Sequence, residues 1–200
     1  MAAGREVSEV EWDWNDINSR DLSRNGFTEF PDHLLPEEER DNILSLQIHH
    51  NSIGFIPASI ETFTSLVILD VSNNRLSHIA DEFSNLTSLQ TLVAKNNNLD
   101  DDSLPKAFDQ LKSLKAVNLG GNNLTEFPPQ LIHMPDIQKL YLGSNKISDI
   151  PNTIQHMHRF VISMNANMIT RFEYRLTCGP FCWVGSDHPN PAEWTESQSN

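Results

Sequence analysis

Apolar residues follow one pattern along most of this chain, L-x-x-L-x-L-x-x-N-x-L, and copies of it recur about every 23 residues. Five clear copies align in six or seven positions each, and their asparagines are Asn51, Asn74, Asn97, Asn122 and Asn145. Successive asparagines are separated by 23, 23, 25 and 23 residues, and the two extra residues fall in the segment 100–102. A period of this length is the signature of stacked structural repeats, so the pattern predicts a solenoid.

Each copy predicts a strand followed by a tight helical turn. The L-x-x-L-x-L segment alternates inward and outward residues, as a short strand does. The x-x-I-P-x-x-I-x-x-L stretch that follows has an apolar spacing of three, which suits a 3₁₀ or short helical turn. We therefore predict an α/β solenoid, a right-handed curved array with parallel strands on its concave side and these turns on its convex side. Its convex core is predicted to contain Phe63, Phe83 and Phe108.

The repeated asparagine is predicted to be structural. It lies where the chain turns away from the strand, and its amide can satisfy backbone groups that are buried in that turn. Loss of one such bond would leave a buried polar group unpaired, at a cost of about 1–3 kcal/mol. A sixth copy, one residue short, completes a predicted asparagine ladder of Asn51, Asn74, Asn97, Asn122, Asn145 and Asn167.

The pattern weakens towards both ends of the chain, which predicts three segments. Residues 1–41 form an acidic amino-terminal segment with a degenerate first repeat, and residues 42–172 form the repeat array. Residues 173–200 leave the pattern and are predicted to be a flexible tail. Atypical terminal units are expected in such arrays, because an end repeat lacks a neighbour on one side.

The outward positions of the strands carry the candidate partner-binding residues. Stacked strands place equivalent residues about 5 Å apart, so these positions form one continuous surface. Tyrosine is a favoured interface anchor, and Gly120 and Gly143 beside Tyr141 would leave a shallow recess. The alternative is a solvated face, with partners on the convex side or at the termini. The predicted binding residues of the concave face are Gln47, His49, Asp70, Ser72, Thr91, Val93, Lys95, Asn118, Lys139 and Tyr141.

Charge and hydropathy narrow the classes of partner. The net charge is −13, and residues 1–42 carry twelve Asp and Glu residues against four Arg. Affinity for phosphates comes from clustered Lys and Arg, so neither nucleic acid nor an anionic membrane surface is expected as a partner. No run of about 20 apolar residues is present, which predicts no membrane insertion. The acidic start of the chain lacks the pattern of a signal peptide, so we expect a cytoplasmic location, with nuclear access open.

Residues that could carry chemistry are few. Cys178 and Cys182 are spaced C-x3-C without a surrounding βαβ pattern, which argues against a redox motif. With His188 they would supply three zinc ligands, where a structural site usually has four. The chain contains no nucleophile elbow, phosphate-binding glycine loop or zinc-protease motif. We therefore predict a protein that is not an enzyme and has no cofactor or metal, and we expect the acidic runs 37–39 and 100–102 to be solvated loops.

The repeat resembles the intracellular class of leucine-rich repeats, which includes Ras-suppressor-like and Shoc-type proteins. A narrower resemblance, to one longer member of the family with a cysteine-containing tail, is carried by Leu69–Ser72, Thr91–Asn97 and Leu104–Lys106. The chain leaves that pattern after Phe172, which would make it a shortened member.

The resemblance implies a scaffold or adaptor that binds protein partners and takes part in signalling. Two alternatives stay open, a substrate-recognition subunit of a ubiquitin ligase and a stoichiometric regulator of small-GTPase signalling. We expect the chain to be monomeric.

Overall fold

The computed structural model describes residues 18–134, 136–151, 161–164 and 167 of the chain. Over these residues, seven three-residue strands pair in parallel, in chain order, to form one sheet. Two further short strands, β3 (Phe55–Ile56) and β5 (His78–Ile79), pair with each other outside that sheet. The seven strands are β1 (Ser19–Asp21), β2 (Ser45–Gln47), β4 (Ile68–Asp70), β6 (Thr91–Val93), β7 (Ala116–Asn118), β8 (Lys139–Tyr141) and β9 (Val161–Ser163).

One side of the seven-stranded sheet faces the core, because the side chains of a strand alternate between its two faces. The fully buried middle residues of β2, β4, β6, β7 and β8 are Leu46, Leu69, Leu92, Val117 and Leu140. The same side is continued one residue past each strand by Ile48, Val71, Ala94, Leu119 and Leu142, which are also buried. The first and third residues of each strand are therefore left on the opposite side.

The chain returns across the core through short helical turns. Four of these turns are 3₁₀ helices, at Asp32–Leu34, Ala58–Thr62, Asp81–Asn85 and Phe108–Gln110. Two single-turn α-helices are described, α1 (Glu37–Arg40) and α2 (Pro129–Ile132). Strands about 4.8 Å apart occupy less length per repeat than the turns opposite them, so the sheet lies on the concave side. The predicted solenoid of parallel strands and 3₁₀ turns is confirmed.

Three phenylalanines fill the space between the turns and the sheet. Phe63, Phe83 and Phe108 are fully buried. The rings of Phe83 and Phe108 are stacked, with their centroids 6.1 Å apart, so successive repeats are in direct aromatic contact.

The asparagine that follows each strand hydrogen-bonds to the backbone of two repeats. Asn97 Oδ1 accepts the Leu76 N–H at 2.9 Å. Its Nδ2 donates to the carbonyls of Val71 and Ala94, at 3.0 and 3.1 Å. Each amide thus pairs buried backbone groups that water cannot reach. Equivalent bonds are made by Asn51, Asn74, Asn122, Asn145 and Asn167.

The residue immediately before each ladder asparagine from Asn51 to Asn145 has a left-handed backbone. Such a conformation costs a residue with a side chain about 1–2 kcal/mol, and asparagine tolerates it better than most. The turn geometry therefore repeats along the solenoid, whatever residue occupies the position. The positive φ angles belong to His50 (56°), Asn73 (53°), Asn96 (55°), Gly121 (68°) and Ser144 (56°).

The acidic run 100–102 is an exposed loop, as expected, and hydrogen bonds anchor it to neighbouring residues. The Ser103 hydroxyl lies 2.6 Å from Asp100 Oδ1 and 2.7 Å from the carbonyl oxygen of Ser77. Ser103 itself is buried, so the two extra residues are held against the preceding repeat. The acidic run 37–39 is exposed as expected, but it is not a loop, because it forms most of α1.

Several sequence predictions concern residues outside the described part of the chain. They include the segment 1–17, the tail 173–200, and the candidate ligands Cys178, Cys182 and His188. Among the helices that the structure does describe, none combines the length and the apolar character needed to cross a bilayer.

Candidate functional site

The concave face is the side of the seven-stranded sheet that points away from the core. The third residues of its strands pair directly from one repeat to the next, so they form a row with neighbours about 4.8 Å apart. Five of the predicted binding residues belong to this row. Its order is Asp21, Gln47, Asp70, Val93, Asn118, Tyr141 and Ser163.

The first residues of the strands form a second row on the same face. Thr91 and Lys139 lie on either side of Ala116, which pairs with both of them. Thr91 is half-buried and Lys139 is exposed. Ser45 and Ile68 occupy the same row but are buried, so they offer a partner little surface. Apart from Ser19 at its amino-terminal end, which is half-buried, the accessible part of this row therefore begins at Thr91.

A third row follows directly after the strands, where the backbones of neighbouring repeats still hydrogen-bond to each other. The carbonyl oxygens of Ser72, Lys95, Gly120 and Gly143 accept N–H groups from the turn of the preceding repeat, at 2.8–2.9 Å. The row therefore continues the face towards the asparagine turns. Its order is His49, Ser72, Lys95, Gly120 and Gly143.

Ser72, one of the predicted binding residues, offers a partner little surface, because it is only 3% exposed. The Asp70 carboxylate accepts the Ser72 N–H at 2.8 Å, and Asn73 Nδ2 lies 3.4 Å from the Ser72 hydroxyl. A short side chain between longer neighbours stays low on the face. The other predicted binding residues are partly or fully exposed.

A recess of about 220 Å³ opens on this face where the third row changes from side chains to glycine. Tyr141, which is 37% exposed, borders it on one side, and Lys95 and Asn118 border it on another. The full lining is Lys95, Asn96, Asn118, Gly120, Gly121, Tyr141, Gly143, Ser144 and Ser163.

Glycine is favoured at the floor of the recess for steric reasons. A Cβ on Gly120 would lie 3.2 Å from the Gly143 carbonyl oxygen and 3.3 Å from Asn118 Oδ1. A Cβ on Gly121 would lie 2.2 Å from Asn96 Oδ1, and Gly121 also has a φ of +68°. The recess is therefore formed by backbone that side chains cannot cover, as the glycine column in the sequence suggested.

The charges on the concave face are divided along its length. Asp21 and Asp70 lie towards its amino-terminal end, and Lys95 and Lys139 lie towards its carboxyl-terminal end. A side-chain hydrogen bond from Ser23 is the main cause that lowers the pKa of Asp21, so this carboxyl group stays ionised at neutral pH. A partner would therefore meet opposite charges at the two ends of the face.

Two adjacent histidines meet beside this face. The Nδ1 atoms of His49 and His50 are 2.8 Å apart, which requires one of them to donate and the other to accept. In the part of the chain that the structure describes, no group of three or more His, Cys, Asp or Glu residues is placed to hold a metal ion.

Sequence reasoning missed part of the recess wall. Asn96, Gly121 and Ser144 line it, although each lies directly before a ladder asparagine and had no predicted role. Their left-handed backbone turns them towards the edge of the face. A comparison of the residues one position before each ladder asparagine, like that made for the outward strand positions, would have identified them.

Comparisons with known proteins agree with this architecture. The family model described as "Leucine rich repeat" matches residues 41–99 and 104–147, and the gap between the two matches contains the extra residues 100–102. Leucine-rich repeat-containing protein 58 of Xenopus tropicalis is 36% identical to the chain over 105 residues. It is the longer member that the motif phrases resemble. The match covers 52% of this chain and 30% of that relative, so the chain spans less than a third of it.

Solved structures show the same fold. A leucine-rich-repeat protein of Leptospira interrogans superposes with a TM-score of 0.73 at 27% identity, over 82% of this chain and 41% of that one. An internalin of Listeria monocytogenes superposes with a TM-score of 0.70 at 21% identity, over 86% of this chain and 48% of that one. Since the family model matches more than half of its 200 residues, the chain belongs to the leucine-rich-repeat family.

Proposed function

We propose that the chain is a non-enzymatic adaptor that binds a protein partner on its concave face. The observation that carries the proposal is the continuous row from Gln47 to Tyr141, which leads into the recess beside Gly120. Leucine-rich-repeat proteins generally mediate interactions between proteins, and the fold is typically not an enzyme fold. The described side chains on this face suit recognition better than chemistry, because no nucleophile–base pair occurs among them.

Tyr141 is the proposed anchor of the interface. It is 37% exposed beside Gly120 and Gly143, so a partner can cover both the ring and the hydroxyl group. Tyrosine offers a large rigid surface for little loss of side-chain entropy, which is why it is enriched at binding hot spots. Asp70, two strands from Asn118 along the row, adds a charge that would fix the partner's register.

The remaining features of the proposed function rest on composition. A net charge of −13 disfavours nucleic acid as the partner and favours a monomer that stays apart from its copies. The proposed site of action is the cytoplasm. A substrate-recognition role in a ubiquitin ligase and a stoichiometric role in small-GTPase signalling are narrower versions of the same binding function.

The test is quantitative affinity purification from cells with matched variants. The variant Asp70→Lys, Tyr141→Ala changes one charge and removes one exposed aromatic ring on the concave face. The control variant Asp81→Lys, Phe55→Ala makes the same two chemical changes elsewhere, since Asp81 is exposed on a convex turn and Phe55 is 48% exposed on β3.

Partners lost from the concave-face variant and retained by the control would support the proposal. Partners retained equally by both variants, or lost from the control alone, would overturn it and move recognition to another surface. Cullin or adaptor subunits among the lost partners would favour the ubiquitin-ligase role. A partner that binds only in one nucleotide state would favour the small-GTPase role.

A further inference from the structure

Lysines are concentrated at the carboxyl-terminal end of the concave face. The chain has six lysines, and three of them, Lys95, Lys115 and Lys139, belong to three consecutive repeats of the sheet. The Lys139 N–H donates to the Lys115 carbonyl oxygen at 3.0 Å, so these two residues are neighbours at the start of β8 and β7. Lys95 lies in the row that leads into the recess. All three are exposed in a chain that is otherwise strongly acidic.

No carboxylate of the described residues forms an ion pair with these ammonium groups. Within the described residues, the ion pairs are Arg20 with Glu39 and Arg40 with Asp32, and neither involves a lysine. The recess lining contains no Asp or Glu among the residues that the structure describes. In the row of third strand residues, the acidic residue nearest to Asn118 is Asp70, two strands away, which places their backbones about 10 Å apart.

Three side chains around the recess offer hydrogen-bond donors. Asn118 Oδ1 accepts the Gly120 N–H at 3.1 Å, which leaves the Asn118 amide nitrogen as a donor that bonds to no described residue. The Tyr141 hydroxyl and the Lys95 ammonium group add two more donors on the same lining. Donors that bond to no described acceptor, next to an ammonium group, are suited to bind an anion.

We propose that this recess binds an acidic side chain, Asp or Glu, from an extended acidic segment of the partner protein. The inference rests on the proposed function and names the chemistry of the partner. The carboxylate accepts from Lys95, Asn118 and Tyr141, and Lys139 meets a second acidic side chain of the same segment. A volume of about 220 Å³ accommodates one side chain and excludes a folded domain.

The positions of the lysines favour spaced carboxylates over one phosphate group. Val93, Asn118 and Tyr141 are paired across three neighbouring strands. Lys95 follows Val93 by two residues and Lys139 precedes Tyr141 by two residues, so the backbones of the two lysines are roughly 16 Å apart. The described lining of the recess also lacks the planar guanidinium group that typically binds a phosphate through two hydrogen bonds. Lysines that are spaced along the face match carboxylates that are spaced along a peptide.

A short acidic segment also escapes the repulsion that a long polyanion would meet. Screening limits charge interactions to about 8 Å at physiological ionic strength, so a segment on this end of the face interacts chiefly with the nearby lysines. A nucleic acid would extend beyond them, over the acidic remainder of the chain.

The experiment titrates the ¹⁵N-labelled full chain with two peptides at about 50 mM salt, where screening is weak. The probe is a capped decapeptide of alternating Glu and Gly, and its matched control replaces every Glu with Gln. We expect the Glu peptide, and not the Gln peptide, to shift the amide resonances of Gly120, Gly121 and Gly143. Absence of these shifts, or equal shifts from both peptides, would overturn the proposal.

Charge-reversal variants locate the binding. Lys95→Glu with Lys139→Glu is expected to weaken the Glu peptide by about tenfold, because two attractive pairs become repulsive. Lys106→Glu with Lys112→Glu changes the net charge equally on the convex side and is expected to leave binding unchanged. If the variant Lys95→Glu, Lys139→Glu fails to fold, the milder variant Lys95→Gln, Lys139→Gln is measured in its place. Equal weakening by both reversals would show a general charge effect and overturn the site.

Two further measurements distinguish the acidic peptide from phosphate-containing ligands, and this inference from the proposed function. Tighter binding of a phosphoserine peptide or of a uridine oligonucleotide at the same glycines would assign the recess to phosphate and overturn the carboxylate. Cellular partners that are lost from Asp70→Lys, Tyr141→Ala but retained by Lys95→Glu, Lys139→Glu would overturn this inference alone. Partners retained by both variants would overturn the proposed function as well.

Discussion

Thr125 donates its backbone N–H and its hydroxyl group to the carboxylate of Asp101, which lies 24 residues earlier in the chain. The Glu126 N–H donates to the same carboxylate at 3.1 Å. Asp101 belongs to the two-residue extension of its repeat, so the extension reaches the next repeat and satisfies two of its backbone donors. The extra residues thus strengthen the contact between neighbouring repeats, on which the stability of a solenoid depends.

Replacement of Asp101 by Asn is expected to destabilise the chain in a pH-dependent way. Partial burial raises the pKa of Asp101, but the hydrogen bonds from Thr125 and Glu126 together lower the pKa by more than burial raises it. The resulting pKa is below its ordinary value of 3.8. A folded-state pKa below the unfolded one stabilises the fold above the unfolded pKa, and this stabilisation is lost as the pH falls through the folded pKa. At pH 7 we expect Asp101→Asn to lower the free energy of unfolding by about 0.5–1 kcal/mol.

The measurement is urea unfolding of both proteins at several pH values between about 7 and 3, a range that spans the ordinary carboxyl pKa. The difference between them should be constant down to about pH 5 and should shrink below the ordinary carboxyl pKa. Asp102→Asn is the matched control, because its carboxylate accepts no hydrogen bond within the described residues. A difference that does not change with pH, or an equal effect in the control, would contradict the assignment.

Removal of one ladder asparagine is expected to be costly. Asn97→Ala leaves the Leu76 N–H without an acceptor in a buried turn, and it removes one of the two asparagine donors from each of the Val71 and Ala94 carbonyls. We expect the free energy of unfolding to fall by about 3 kcal/mol. Asn98→Ala is the control, because this neighbouring asparagine is exposed and its side chain makes no hydrogen bond in the described part of the chain; its effect should stay within about 0.5 kcal/mol. Equal losses in urea unfolding would refute a specific role for the ladder.

Two glycines with similar backbone angles separate backbone strain from steric overlap. Gly26 has a φ of +72° and open space where a Cβ would lie, whereas Gly121 has a φ of +68° and Asn96 Oδ1 only 2.2 Å from that position. Gly26→Ala should cost about 1 kcal/mol from the left-handed backbone alone. Gly121→Ala should cost about 1 kcal/mol more, since Asn96 must move and give up its 2.9 Å bond to Asn73. Thermal unfolding that ranks the two variants equally would contradict the overlap.

The fold was predictable from the sequence because the repeat encodes it in local patterns. The alternation around Leu69 and Leu92 specifies the inward side of each strand, and a constant period specifies that equivalent residues pair. The rows of the concave face follow from the same two facts. Even the recess was foreseeable, since Gly120 and Gly143 occupy equivalent positions in successive copies.

The features that escaped prediction depend on contacts that no local pattern contains. The partners Asp101 and Thr125 lie one repeat apart, and Asp101 belongs to the two-residue extension that the other copies lack. The burial of Ser72 depends on the conformations of Asp70 and Asn73, which hydrogen-bond to it. A repeat pattern gives the position of a residue on the solenoid, but its exposure is decided by the particular side chains beside it.

Arg40 is expected to be indispensable for the amino-terminal end of the solenoid. Its Nε donates to the Leu35 carbonyl at 2.6 Å and its Nη2 to the Asp32 carbonyl at 3.0 Å, while its guanidinium lies 5.6 Å from the centre of the Phe63 ring. Lysine cannot make this set of contacts, because it has one compact ammonium group and no planar surface. We expect Arg40→Lys to lower the free energy of unfolding by about 2 kcal/mol, since charged hydrogen bonds and the ring contact are lost together. Arg75→Lys is the control, because Arg75 is exposed and its guanidinium bonds to none of the described residues, so its effect should stay within about 0.5 kcal/mol. If both variants unfold at the same urea concentration as the natural chain, the contacts of Arg40 do not hold this end together.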